Sequence, residues 1–154
     1  MKPDVTLTTL ECHRQIPAAP DEVYDVWIDA TCPGGPWFAP TNERQTGKVI
    51  LDAKVDGLFY HRVSVNELSF IHYGRFIELA RGERVRHTWV CEATHGREST
   101  VTTTFEAKAG GTLVTIVHEG VPDDDAGRHQ NNGWKWALSA LADSLTKRKN
   151  RAHQ

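Results

Sequence analysis

The sequence lacks the features that mark several large classes of protein. No apolar stretch approaches the roughly 20 residues of a membrane-spanning helix, and the residues after Met1 lack the apolar run of a signal peptide. The formal net charge of -2 comes without a basic stripe, which argues against binding to nucleic acid or to an anionic membrane. We therefore expect a cytoplasmic protein that binds neither.

Cysteine is scarce and shows no paired spacing. The chain has 3 cysteines and no C-x-x-C pair, a pattern that predicts free thiols in a reducing compartment. Cys91 is expected to be a buried, inert thiol, whereas Cys32, beside a Pro-Gly-Gly loop, is expected to be exposed. Motifs of serine hydrolases, P-loop proteins and dinucleotide-binding proteins are absent, and no cofactor is predicted.

What is present predicts one globular domain over residues 1–154. The apolar fraction of 39% and the charged fraction of 25% are ordinary for a folded protein. At 154 residues the chain can bury a core without disulfides. We find no repeat, linker or low-complexity segment that would divide it.

Alternating apolar residues predict seven strands, and short turns separate the last six of them. Because these connections are too short for parallel crossovers, we expect an antiparallel meander. The predicted strands are residues 5–13, 48–53, 58–65, 69–79, 84–92, 99–107 and 112–119.

Two segments have helical spacing. The first begins near Pro20 and places Val23, Val26, Trp27 and Ala30 on one face. The second begins at the acidic residues 123–125 and runs to about residue 149. Its apolar stripe needs an extended surface, which only the sheet offers. The stripe consists of Trp134, Leu138, Leu141 and Leu145.

Five segments in order resemble the START-like (SRPBCC) superfamily, in the branch similar to the C-terminal domain of the activator of the heat-shock protein 90 ATPase. They lie at residues 14–27 (RQIPAAPDEVYDVW), 37–40 (WFAP), 83–89 (ERVRHTW), 111–120 (GTLVTIVHEG) and 133–141 (GWKWALSAL). Asp56-Gly57 stands where this family often has Gly-Gly, a departure that concerns a turn.

This resemblance implies an α+β helix-grip fold. A curved seven-stranded antiparallel sheet would wrap around the long C-terminal helix, with one or two short helices after the first strand. The resemblance further implies a hydrophobic cavity between sheet and helix. Strand alternation adds residues expected to line it and to bind a ligand: Phe59, His61, His87, Trp89, Val101, Thr103, Phe105, Ile116 and His118. The helices and the aromatic turn are expected to contribute Trp27, Trp37, Phe38, Trp134 and Leu138.

Histidines on the predicted inward face are the most distinctive chemical feature. His61, His87 and His118 share that face, and His72 joins them unless Gly74 marks a bulge. No H-x-H or H-E-x-x-H spacing indicates a metal site, and none is predicted. Structural histidines, ligand-recognising histidines and a general acid or base remain open alternatives, with His118 the best catalytic candidate. Glu78 and Glu119 are candidate orienting carboxylates.

These observations favour a protein that binds a small apolar or aromatic molecule. One alternative is an enzyme, such as a cyclase or hydrolase, that uses a cavity histidine. Another is a chaperone-interacting module, against which the single-domain length counts. Trp136 cannot share the core face of Trp134, so it either packs under a loop or is exposed, where it would suit a homodimer contact.

Overall fold

The computed structural model describes residues 5–32, 35–37 and 45–152. Within these ranges a seven-stranded antiparallel sheet curves around a long C-terminal helix, as predicted. No helix in the described ranges is both long enough and apolar enough to cross a membrane.

The strands form one sheet in the order β1-β7-β6-β5-β4-β3-β2. Consecutive strands from β2 to β7 are neighbours. β1 pairs antiparallel with β7 and forms one edge of the sheet. Their bounds are β1 Leu7–Ile16, β2 Gln45–Leu51, β3 Leu58–Val65, β4 Leu68–Ala80, β5 Arg84–Cys91, β6 Ser99–Lys108 and β7 Gly111–Pro122. All seven predicted strands are present, although several extend beyond the predicted ends.

The hairpin between β3 and β4 is closed by a two-residue turn. Asn66 and Glu67 both have positive φ, at 49° and 71°. Such turns have the twist that antiparallel strands require, which keeps the pairing in register from Val65–Leu68 to Leu58–Arg75. This register places His61 directly opposite His72.

The prediction of a bulge at Gly74 is wrong, because the irregularity of β4 lies between Phe76 and Glu78. Gly74 serves close packing instead. A Cβ atom there would lie 2.3 Å from the Thr88 carbonyl oxygen and 2.7 Å from the ring of Phe59. Residues 70, 72, 74 and 76 therefore share one face of β4, and His72 lies on the inward face.

The first helix, α1 (Pro20–Trp27), is shorter than predicted, since Ala30 lies beyond its end. Pro20 occupies its first turn, and Asp21 and Glu22 lie near the positive end of the helix dipole. The guanidinium of Arg81 donates two hydrogen bonds to the Asp25 carboxylate, at 3.0 and 2.8 Å. This pair ties α1 to the turn between β4 and β5.

The C-terminal helix, α2 (Asp125–Ala152), packs its apolar stripe against β1 and β7. Asp124 caps the helix by accepting a hydrogen bond from the Gly127 N–H at 2.7 Å. Trp134, Leu138, Leu141 and Leu145 are buried as the helical spacing predicted. Trp136 is 68% exposed, which excludes packing under a loop.

We expect Gly74→Ala and Gly133→Ala to change stability in opposite directions. Overpacking against Thr88 and Phe59 should lower the free energy of unfolding of Gly74→Ala by about 1–3 kcal/mol. Gly133 lies on the exposed side of α2 with open space around it, so alanine there should add about 1 kcal/mol of stability. Urea unfolding measures both values, and an unchanged Gly74→Ala would contradict the packing role of this glycine.

Candidate functional site

Aromatic rings fill the concave side of the sheet beneath α1 and the turn that carries Trp37. Trp37 contacts Phe59 and His87 with ring centroids 5.6 and 5.2 Å apart, and Trp27 at 6.5 Å. Phe76 adds a further ring 5.4 Å from Trp37. These edge-on and tilted arrangements are the favoured ones for aromatic pairs. The indoles of Trp27 and Trp37 have no exposed surface.

His118 is the centre of a continuous chain of hydrogen bonds. The Trp134 indole N–H donates to its Nδ1 at 3.1 Å, and its Nε2 lies 2.7 Å from Ser99 Oγ. Ser99 in turn donates to the Trp89 carbonyl oxygen at 2.6 Å. Because an indole nitrogen only donates, Nδ1 must accept, and Nε2 therefore carries the proton that it donates to Ser99. Every polar atom of the imidazole is satisfied in its neutral form.

The contact between Ser99 and His118 has the spacing of a nucleophile and its base, but the proton stands on the wrong nitrogen. A base for Ser99 needs an unprotonated Nε2, and the indole of Trp134 imposes the opposite tautomer. Burial lowers the pKa of His118 to about 3, and the nearby His87 adds to this effect. Ser99 and His118 are also 2% and 0% exposed. Acid or base chemistry at His118 stays a prediction that this geometry does not favour.

His87 lies in the aromatic layer and takes the other tautomer. Its Nδ1 donates to the Thr88 carbonyl oxygen at 2.8 Å, which leaves Nε2 as the nitrogen with the lone pair. Burial lowers the pKa of His87 to about 4, so the ring is neutral near pH 7. This histidine can accept a hydrogen bond from a molecule in the interior.

Five buried side-chain polar atoms lack a hydrogen-bond partner among the described residues, and two of these are Arg62 Nε and Asn131 Oδ1. The other three are the indole nitrogens of Trp27 and Trp37 and the hydroxyl of Thr103. All three side chains are 0% exposed. Folded proteins pair most such groups, because an unsatisfied buried donor costs about 1–3 kcal/mol. The interior therefore presents donors for which the described part of the chain supplies no acceptor.

The other residues predicted to line the site fall into three groups. Val101, Phe105 and Ile116 are buried on the strands that face α1 and α2, together with Leu138 of α2. His61 and Trp89 lie further toward the β3–β4 hairpin, where Trp89 stacks on His72 with centroids 4.7 Å apart. Phe38 lies outside the described residues. The orienting carboxylates do not reach His118, since Glu78 pairs with Arg84 and Glu119 is exposed.

Sequence reasoning missed three residues of this region. Phe76 is fully buried against Trp37. Ser99 shares the parity of Val101 and Thr103, and the same alternation would have placed it inward. Gln130 lies one helical turn before Trp134, and its Oε1 accepts hydrogen bonds from the Trp89 indole at 3.2 Å and the Cys91 thiol at 3.4 Å.

The expected exposure of Cys32 is wrong. Its thiol is buried and accepts a hydrogen bond from Arg148 of α2 at 3.1 Å. Cys12 and Cys91 are also buried free thiols, and burial raises the pKa of both. Neither Cys12 nor Cys91 therefore has the environment of a reactive thiolate.

A groove of about 400 Å³ lies between β1 and α2. It does not reach the aromatic layer, and Leu138 is the residue that it shares with the predicted site. It is lined by Glu11, Cys12, His13, Arg14, Lys135, Leu138 and Ser139. The cavity predicted between sheet and α2 stays a prediction.

A family model described as Activator of Hsp90 ATPase homolog 1-like protein matches residues 17–146. The chain belongs to this family. A comparison with curated proteins found no match. The recognition made from the five sequence segments is confirmed.

Solved structures of bacterial proteins have the same fold as this family member. A crystal structure from Chromobacterium violaceum is 29% identical with a TM-score of 0.74, over 89% of this chain and 96% of that one. The solution structure of an AHSA1-like protein from Aeromonas hydrophila is 17% identical with a TM-score of 0.68, over 92% and 94%. The CalU16 protein of Micromonospora echinospora is 18% identical with a TM-score of 0.65, over 94% and 80%.

The buried histidines predict a loss of stability in mild acid. Histidines of the unfolded chain bind protons with a pKa near 6.5, whereas His87 and His118 in the fold do so only near 4 and 3. The unfolded state therefore gains protons first, and each ring lowers the free energy of unfolding by about 1.4 kcal/mol per pH unit between these limits. Urea unfolding at pH 7, 6 and 5 measures the slope.

Nuclear magnetic resonance of the ring nitrogens separates this cause from the titration of surface groups. We expect His118 as the Nε2–H tautomer, His87 as the Nδ1–H tautomer, and neither ring charged at pH 5. The exposed His129 serves as the control ring. A buried ring that titrates near pH 6.5 would contradict the assignment.

Proposed function

We propose that this chain binds a small apolar or aromatic molecule that carries a hydrogen-bond acceptor, on the concave side of the sheet beneath α1 and α2. The observation that carries the proposal is that three fully buried side chains hold polar atoms with no partner among the described residues: the indole nitrogens of Trp27 and Trp37 and the hydroxyl of Thr103. The family membership supports it, since this fold places a helix against a curved sheet.

The distribution of the polar atoms indicates the chemistry of the ligand. Trp27 and Trp37 offer two N–H donors among aromatic walls, and Thr103 offers a hydroxyl on β6. His87 adds an acceptor nitrogen next to the ring of Trp37, with centroids 5.2 Å apart. A carbonyl or ether oxygen on an aromatic skeleton would meet the donors, while its rings would pack against the walls.

Ligand binding also explains why the protein would retain buried donors that lack a partner. An unpartnered donor destabilises the empty protein, and the same donor gains its full hydrogen bond when a ligand arrives. Sites of this kind exchange stability for function. In contrast, the imidazole of His118 is fully bonded within the protein, so we propose that His118 fixes α2 to the sheet and leaves ligand recognition to its neighbours.

Thr103→Val is the variant that separates binding from folding. Valine keeps the shape of threonine and removes the hydroxyl, which has no partner in the described interior. We expect the free energy of unfolding to rise by about 1 kcal/mol, because an unsatisfied buried group disappears. A loss of stability in urea would show that the hydroxyl is already bonded, for example to a permanent water, and would contradict the proposal.

Two probes of nearly the same shape test the recognition of an acceptor. 2-Acetylnaphthalene carries a carbonyl oxygen, and 2-ethylnaphthalene lacks it. Calorimetric titration should show that the ketone binds the wild-type protein about tenfold more tightly, the worth of one hydrogen bond. The preference should shrink in Thr103→Val and in Trp37→Phe, and it should persist in the control Ser139→Ala, which changes the outer groove. Equal binding of both probes would contradict acceptor recognition.

A further inference from the structure

Two histidines face each other across the hairpin of β3 and β4. His61 and His72 are direct cross-strand partners, and their Nδ1 atoms lie 3.5 Å apart. The ring planes are inclined by 37° with centroids 5.7 Å apart. Both side chains lie on the concave face, where the register fixes them side by side.

The separation of the two nitrogens suits a shared metal ion better than a hydrogen bond. Nitrogen–oxygen and similar hydrogen bonds in proteins have lengths of about 2.7–3.2 Å. Two imidazole nitrogens bound to a tetrahedral zinc ion at about 2.0–2.1 Å stand roughly 3.4 Å apart. We propose that His61 and His72 chelate a divalent metal ion such as zinc(II) or copper(II) through their Nδ1 atoms. Solvent would complete the coordination.

The electrostatics of the pair fit this assignment. Burial, followed by the charge of His61, lowers the pKa of His72 to about 4. Near pH 7 the ring of His72 is neutral, and a neutral imidazole is the form that binds metals. Metal binding requires each ring to carry its proton on Nε2, a tautomer change that consumes no other reactant.

Solvent reaches the concave face next to the pair. Phe70 occupies the next inward position of β4 and is 53% exposed, whereas His61 itself is 8% exposed. Among the described residues no cluster of three or more metal-binding side chains occurs. Cys91 is the cross-strand partner of His72, but its thiol bonds to Gln130. The site is therefore a two-histidine chelate with open coordination positions.

Trp89 provides a reporter for this site. Its ring stacks on His72 at an interplanar angle of 24°. Its indole N–H bonds to Gln130 Oε1, which holds the ring in place. A copper(II) ion at His72 would lie close to this indole and quench its fluorescence.

The test is calorimetric titration of the full chain with zinc chloride at pH 7, joined to copper(II) titration followed by tryptophan fluorescence and electron paramagnetic resonance. We expect one ion per chain, hyperfine coupling to two nitrogens, and at least tenfold weaker binding in both His61→Gln and His72→Gln. His13→Gln and His129→Gln remove exposed imidazoles elsewhere and should bind as the wild type does. Circular dichroism confirms that each variant is folded.

Two outcomes would overturn the proposal. One is that the wild type binds neither zinc nor copper, or binds them no more tightly than the folded His61→Gln and His72→Gln variants do. The other is binding that disappears in His13→Gln or His129→Gln, which would place the ion elsewhere. As an independent readout, saturating zinc should raise the midpoint of thermal unfolding of the wild type and leave His72→Gln unchanged.

Discussion

The hydrogen-bonded chain from Trp134 through His118 and Ser99 to the Trp89 carbonyl holds the structure together at its centre. It joins α2 to β5, β6 and β7 through groups that would each be costly to bury alone. Because all donors and acceptors are matched, the imidazole is stable in its neutral form. The apolar stripe of α2 supplies most of the contact between the helix and the sheet. The hydrogen bonds from Trp134 to the Trp89 carbonyl fix where along the sheet the helix lies.

Beside this hydrogen-bonded network lies an aromatic layer in which several buried polar atoms have no hydrogen-bond partner among the described residues. Trp27, Trp37 and Thr103 bury polar atoms that have no partner among the described residues. His61 and His72 hold their Nδ1 atoms 3.5 Å apart across one hairpin. The same sheet thus carries polar groups that bond to one another near α2 and, toward α1, polar groups for which the described residues supply no partner. Function in this family member is proposed to use the groups of Trp27, Trp37 and Thr103, together with the histidine pair of the β3–β4 hairpin.

The alternation of apolar residues along the strands predicts much of the sheet's inward face. Phe59, His87, Val101, Phe105 and Ile116 are buried where the period of two placed them. The relation of His118 to Trp134 could not be read in this way, because it joins residues of a strand and a helix through side-chain geometry. The same holds for the tautomer that argues against His118 as a base.

The sequence by itself determined the order of the strands and helices along the chain and the apolar stripe of α2, because these follow from local periodicity and short connections. It also determined the family, because five short segments in the same order resemble the family's motifs. Only the tertiary structure decided which buried polar atoms find partners and that Gly74 packs against Phe59 where a bulge was suspected. It also decided that Cys32 is covered by Arg148. Such outcomes depend on distances of a few ångströms between segments far apart in the chain, and no local pattern encodes them.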